Sequence, residues 1–380
     1  MKSPVFISSA NMITPLGFSV NENCSKLLQG VSAIVKYDDP YIAEDPFYAA
    51  IISSEKIDEA FKILGNPSDF TKLEKMMILS LSETLKNSEA IISDKTALII
   101  ATTKGNIDVL ETRSKFDSER AYLPELGKRL QHFFKFKKEP IIVSNACVSG
   151  ILAVAVAKRM IENNFYENAV VVAGDLVTKF TVSGFKSFQA MSDVPCKPYD
   201  KKRNGISIGE AAASVFISKK DSNQSRIQII GDGSCNDANH ISGPSRTGEG
   251  LYKSVQSALE EASVNAQDID FISAHGTATL YNDEMEAIAF NRSQLSLTPL
   301  HSLKGYFGHT FGTSGLLETV VLLDMMKNNT VYPSLGLEEL GVSKPLNIVK
   351  KVAQQSLNIG LKTASGFGGC NTAVLFKKER

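Results

Sequence analysis

The 380-residue chain has no tryptophan, no excess of either charge, no apolar run of membrane length and only five cysteines. Each shortage excludes something. Lys+Arg and Asp+Glu both total 41, so the formal charge is zero and nothing global argues for a nucleic-acid surface. No stretch approaches the about 18 apolar residues of a membrane helix, so no membrane span is expected. Cys24, Cys147, Cys196, Cys235 and Cys370 are odd in number and far apart. They offer neither a disulfide framework nor metal-ligand spacing, and the expected setting is a reducing cytoplasm. The first residues, MKSPVFISSANMITPLG, lack the long apolar core of a signal peptide and read as a strand and a turn. What remains is the composition of a soluble chain with a sizeable core, 43% hydrophobic and 22% charged, whose length suggests about two domains.

Strand-like and helical runs alternate along it, which predicts an α/β fold with buried sheets. VFISS (5–9), TALIIATT (96–103), PIIVS (140–144), NAVVVAGDL (168–176) and AAASVFISKK (211–220) read as strands. A helix is expected from Val148 to Asn164, where apolar residues recur at helical spacing. The polar segment Asp221–Ser225 is the expected boundary, giving halves 1–222 and 223–380. In the second half RIQIIGDGS (226–234), a helix over about 250–262 and IDFISAHG (269–276) repeat the β-α-β order. Helices near 282–291 and 312–328 follow, then LNIGLKTAS (357–365) and TAVLFKK (372–378). The halves share an element order but no visible sequence repeat.

Cys147 stands between small residues in SNACVSG, where a buried strand gives way at once to a helix. Free N–H groups at a helix start favour a thiolate and can hold an oxyanion, so the cysteine is a candidate nucleophile. A buried thiol used as a helix cap fits the same pattern. A nucleophile needs a base or an oxyanion stabiliser. His275, in SAHGTATLYNDEMEAIAF, and His309, in SLKGYFGHTFGTSGLLE, both lie at element ends, where a scaffold presents side chains to a cleft. His132 and His301 have less distinctive settings. Three glycines around Phe367 in ASGFGGCNTAV imply a tight loop that approaches a ligand closely.

Together these segments resemble the β-ketoacyl-acyl carrier protein synthases, the Cys-His-His condensing enzymes of fatty-acid and polyketide synthesis. The resemblance runs from ITPLG (13–17) through NACVSG (145–150), CKPYDKKRNGISIGEAAA (196–213), AHGTATLYNDEME (274–286) and SLKGYFGHTFGTSGLLE (302–318) to SGFGGCN (365–371). It implies a thiolase-like fold of two similar βαβ-rich halves in an α-β-α-β-α core. It also implies decarboxylative condensation of an acyl thioester with a malonyl-carrier protein, without metal or other cofactor. Cys147 matches the acyl-accepting nucleophile, and His275 and His309 the pair that stabilises the enolate. Lys304 matches the lysine that orients the site, and Glu318 its acidic partner. Phe367 matches a gate whose N–H, with that of Cys147, forms an oxyanion hole. Thr277 and Thr279 match threonines that bind the pantetheine arm, and Ser242 is a further candidate there. Asp283 and Glu286 are read as loop braces.

By the same resemblance the partners are an acyl carrier protein and a second subunit, in a homodimer or a heterodimer. Because carrier proteins are acidic, the basic runs Lys197–Arg203 and Lys128–Lys138 are candidate docking surfaces, though either fits a solvated face. The chain departs from the family at ISSAN, at GEAAA in place of GEGAG, at GTSG in place of GAAG, at Lys104 and at Cys370. None of these removes a catalytic residue, but they open a specialised pathway beside housekeeping elongation. A non-decarboxylating thiolase, a non-condensing chain-length-factor subunit and a pure scaffold are the alternatives. The lysine and histidine of SLKGYFGHTFGTSG oppose the first, and the presence of Cys147 the second. A scaffold has no need of a cysteine, two histidines and a lysine in register.

Overall fold

The computed structural model describes residues 3–88, 91–219, 227–238 and 243–379. Its main sheet has eleven strands: β1 (Phe6–Ile13), β2 (Thr96–Ala101), β3 (Ile141–Val143), β4 (Asn168–Asp175), β5 (Ala211–Ser218), β6 (Ile227–Asn236), β7 (Phe271–Ser273), β8 (Pro299–His301), β9 (Asn347–Ile348), β10 (Ile359–Ser365) and β11 (Cys370–Lys378). Their order is β9-β8-β7-β10-β11-β6-β1-β5-β4-β2-β3. From the β1–β6 seam outward, the first half reads first, fifth, fourth, second, third. The second half repeats that order, with β9 added at its edge. The two halves thus share one topology with no detectable sequence repeat. The seam is short, pairing Phe6 with Gln228 and Ile7 with Ile227. The expected boundary, Asp221–Ser225, lies outside the described residues.

The central stretches of β2 and β4 are apolar because both faces are buried. In β2, Ala97, Ile99 and Ala101 face a central core, while Leu98 and Ile100 face an outer one. In β4, Ala169, Val171 and Ala173 point inward and Val170 and Val172 outward. Such alternation is the period of two of a strand. Helices α1 (Lys72–Ser88), α2 (Ser149–Glu162), α3 (Lys179–Ser187), α4 (Glu249–Ala262), α5 (Leu280–Arg292) and α6 (Ser314–Asn328) pack on the sheet or border the cavity. The central core holds α2 and α6, whereas α1 covers the outer face of the first half and α4 and α5 that of the second. The layers are therefore α-β-α-β-α.

Helices α2 and α6 approach each other through small residues. A Cβ built on Gly150 would lie 2.8 Å from both Gly312 O and Leu316 N, and one on Gly315 would lie 2.8 Å from Ile151 N. This contact sets the separation of the two segments that begin just after Cys147 and His309.

Some expected elements are displaced. The strand 269–276 ends at Ser273, because the backbone beyond it turns its N–H groups onto the side chains of Glu286 and Asp283. The helix expected from 312 starts at Ser314, after a 3-10 turn over Phe311–Thr313. β3 and β4 are not neighbours, since β2 lies between them. Among the described residues no helix is long and apolar enough to cross a membrane.

Gly150→Ala is expected to destabilise the fold by about 1–3 kcal/mol, because the methyl meets backbone atoms on both sides. Gly184→Ala, in α3 with nothing within 4 Å of its added Cβ, should be neutral or slightly stabilising. Urea unfolding of the two variants beside wild type measures both.

Candidate active site

Cys147 follows β3 and precedes α2, whose N-cap is Val148. Ala146, with φ 45°, supplies the sharp turn between them. The Cys147 Sγ lies 3.1 Å from His309 Nε2. On the other side of the same imidazole, Nδ1 lies 3.0 Å from Ser314 Oγ, which also accepts the Thr310 N–H. His309 is pinned through its backbone as well, its N–H donating to Ser207 O at 2.6 Å.

His275 stands edge-on to His309, with ring centroids 5.2 Å apart at 84°. Its Nδ1 is 3.3 Å from Lys304 Nζ, and that ammonium also donates to His275 O (2.6 Å) and Glu318 Oε1 (2.7 Å). An ammonium can only donate, so Nδ1 accepts, and the proton of the neutral ring resides on Nε2. Asp283 and Glu286 are loop braces. Between them their carboxylates accept the N–H groups of Tyr199, His275, Gly276 and Thr277.

The Cys147–His309 pair opens into a cavity of about 330 Å³, lined by Cys147, His275, His309, Thr277, Thr279 and Phe367 among others. Thr277 Oγ1 and Thr279 Oγ1 are 2.9 Å apart, and Thr279 also caps α5 through the Asn282 N–H. Gly366 lets the Phe367 loop lie against the cysteine, since a Cβ there would come within 3.0 Å of Cys147 N and Cys370 Sγ. The Phe367 ring stacks on Phe185 (centroids 5.7 Å) and meets Phe188 edge-on (5.2 Å). Lys304 and Glu318 lie beneath the cavity, and Ser242 falls outside the described residues.

Sequence reading missed four contributors. Ser314 was visible only as the departure of GTSG from GAAG. Phe185 and Phe188 share one helical face, at i and i+3, and carried no motif. Lys362 sits in a strand pattern where an apolar residue is the norm.

The expected thiolate is a correction. Burial, reinforced by neighbouring Cys370, pushes the Cys147 thiol up to about 12, against the opposing charge of Lys304. Burial and the Lys304 charge hold both His275 and His309 well below the usual imidazole range. The resting pair is thus a neutral thiol on a neutral imidazole. Sγ and one nitrogen of each histidine fall within 4.8 Å of one another, compact enough for a metal ion, but the ammonium on His275 opposes a dication there. Alkylation of Cys147 by iodoacetamide should therefore rise about tenfold per pH unit from about pH 7 to about pH 10 without levelling, because only the thiolate reacts. Mass spectrometry of the peptide gives the rate, and a plateau near neutrality would mean a preformed thiolate.

The β-ketoacyl synthase N-terminal domain matches residues 2–223, and the corresponding C-terminal domain residues 228–338. A Schizosaccharomyces pombe protein named as a mitochondrial 3-oxoacyl-(acyl-carrier-protein) synthase is 26% identical, covering 98% of this chain and 99% of its own. The 3-oxoacyl-(acyl-carrier-protein) synthase 2 of Staphylococcus aureus is also 26% identical, over 98% of each chain. Among solved structures, a ketosynthase in complex with its chain length factor from Xenorhabdus doucetiae superposes with a TM-score of 0.86 at 20% identity, covering 99% and 98% of the two chains. At that identity the likeness speaks for the fold alone. With one family's two domains matching in order across the chain, and a cysteine and two histidines converging where those domains meet, the chain belongs to the β-ketoacyl synthase family.

Proposed function

We propose that the chain is a β-ketoacyl-carrier-protein synthase that joins an acyl thioester to a malonyl thioester with loss of carbon dioxide. The observation that carries the residue roles is the 3.1 Å contact of the Cys147 thiol with His309 Nε2, beside a second histidine whose proton is held on Nε2. In the first half-reaction Cys147 attacks the acyl thioester carbonyl. Its proton passes to His309 Nε2 and then to the departing pantetheine thiolate, leaving an acyl-cysteine. The N–H groups of Cys147 and Phe367 hold the tetrahedral oxyanion.

In the second half-reaction the malonyl thioester oxygen accepts hydrogen bonds from the Nε2–H of both histidines. The bond to the carboxylate carbon breaks, its electron pair enters the enolate, and carbon dioxide leaves. The enolate carbon attacks the acyl-cysteine, and collapse expels the Cys147 thiolate, which takes up a proton. For this step His309 must carry its proton on Nε2, whereas beside the free thiol it carries it on Nδ1. The Ser314 hydroxyl, able to donate or accept, serves both tautomers. Thr277 and Thr279 hold the pantetheine arm, and Phe367 gates the passage to the acyl chain.

For partners we infer a carrier protein and a second subunit, identical or related. The names of the relatives support the first, and the fold shared with a ketosynthase that pairs with a chain length factor supports a heterodimer as the second reading. Lys197, Lys201 and Lys202 are paired with Glu338 and Glu339 and Arg203 is buried, whereas of the run Lys128–Lys138 Lys128 is paired, with Glu125, and four further basic residues follow, so this run is the better docking surface for an acidic carrier. Cys370 donates to Phe367 O at 3.3 Å and does not line the cavity, which disfavours a thiolase-like second cysteine. The compartment inferred is a reducing one, whether cytoplasm or mitochondrion.

The test is mass spectrometry of the carrier protein after incubation with malonyl-carrier and a panel of acyl-carriers. A β-keto product two carbons longer is expected with wild type and none with Cys147→Ala. His275→Ala should still form acyl-Cys147 but lose decarboxylation by about 10²–10³-fold, as for removal of one oxyanion donor. If wild type elongates no primer alone but does so with a co-expressed homologous subunit, the heterodimer replaces the stand-alone enzyme. Failure in both arms removes the proposal.

A further inference from the structure

Lys362 is fully buried on β10, and nothing in the functional reading uses it. Its ammonium donates to Ser273 O (3.0 Å), Thr363 O (2.6 Å) and, at 3.4 Å, Ala274 O. The first and last of these are the carbonyls that end β7 immediately before His275. Nζ also lies 2.7 Å from Glu318 Oε2, a charge contact without hydrogen-bond alignment. The other oxygen of that carboxylate belongs to Lys304. Two buried ammoniums therefore share one carboxylate. A purely structural ion pair at this spot would need only one lysine, since burying a second charge is strongly unfavourable before compensation.

Among the described residues, the other charged and titratable groups around His275 are otherwise engaged. Glu286 spends its oxygens on the N–H groups of His275 and Gly276 and on Tyr199 Oη and Asn282 Nδ2. Asp283 accepts from Tyr199 N and Thr277 N and lies 3.6 Å from Arg203. Both sit on the backbone side of the loop. His309 and Cys147 face the ring across the cavity and are neutral at rest.

We infer that Lys362 is a positioning residue for His275: by occupying one oxygen of Glu318 and the carbonyls that lead into the histidine, it keeps the Lys304 ammonium directed at His275 Nδ1, and so keeps the imidazole neutral with its proton on Nε2. Without Lys362, Glu318 draws Lys304 wholly to itself, the positive charge beside the ring falls, and the ring gains a proton more readily. What His275 then does in catalysis rests on the functional reading above; its protonation does not.

The experiment has a readout independent of activity. With ¹³C-labelled histidine in the full chain, only five imidazoles are present, and His275→Gln assigns the signal. In wild type His275 is expected to stay neutral, as the Nε2–H tautomer, down to well below the usual imidazole range. In Lys362→Met its titration should move to higher pH, because a cation has been removed from its surroundings. The double variant Lys362→Met with Glu318→Gln should return it toward wild-type behaviour, since the carboxylate that captured Lys304 is gone. Lys362→Met should also lower malonyl decarboxylation about tenfold, an order of magnitude short of removing a direct oxyanion donor, while acyl loading of Cys147 is retained. A His275 titration identical in wild type and Lys362→Met overturns the inference, as does a double variant no closer to wild type than the single one. Absence of decarboxylation in wild type counts against the functional reading instead, and the titration still decides the role of Lys362.

Discussion

One buried carboxylate organises the site. Glu318, on central helix α6, receives Lys304 on one oxygen and Lys362 on the other, and Lys304 reaches on to His275. Burial alone would raise this carboxyl, but the two ammoniums more than offset it and hold it below the usual range. The chain of charges ties α6 to β10 and to the segment after β8, and through Lys304 to the end of β7. Breaking a buried pair of this kind on one side typically costs about 3–5 kcal/mol, because it strands the partner. The geometry of the cavity floor is thus fixed by electrostatics, whereas its walls are fixed by packing.

Those walls follow from the duplicated topology. Cys147 follows the third strand of the first half and leads into α2. His309 follows the third strand of the second half and leads into α6. The two residues occupy matching stations, and the glycine contact of α2 with α6 brings them to 3.1 Å. Cys147 follows the carboxyl end of β3 and His275 that of β7, and the carboxyl ends of strands are the general location of ligand sites in α/β sheets.

Much of this was legible in the sequence, for reasons that differ by element. β2 and β4 announce themselves because their central positions are apolar on two buried faces, and α2 and α4 because their apolar period is unbroken. Helix α1 was missed: KLEKMMILSLSETLKNS buries Glu74, Lys75, Ser80 and Thr84 along with its apolar residues, so its pattern is blurred. Short strands such as Pro299–His301 give too few residues for a period to show. Cys147, His275, His309 and Lys304 stood out by their motifs and meet in space. The protonation of the thiol was misjudged, since a helix start is a local signal while desolvation depends on everything packed around it. Lys362 and Phe188 were illegible for the same reason, each taking its meaning from a neighbour far away in the chain.

The placement of Cys147 in one half and of His275 and His309 in the other bears on biosynthesis. While the chain emerges, the segment holding Cys147 is made before either histidine. The 3.1 Å contact of Sγ with His309 Nε2 and the packing of α2 on α6 both need the second half. The site is therefore assembled last, and a nascent or cleaved half-molecule holds only part of it.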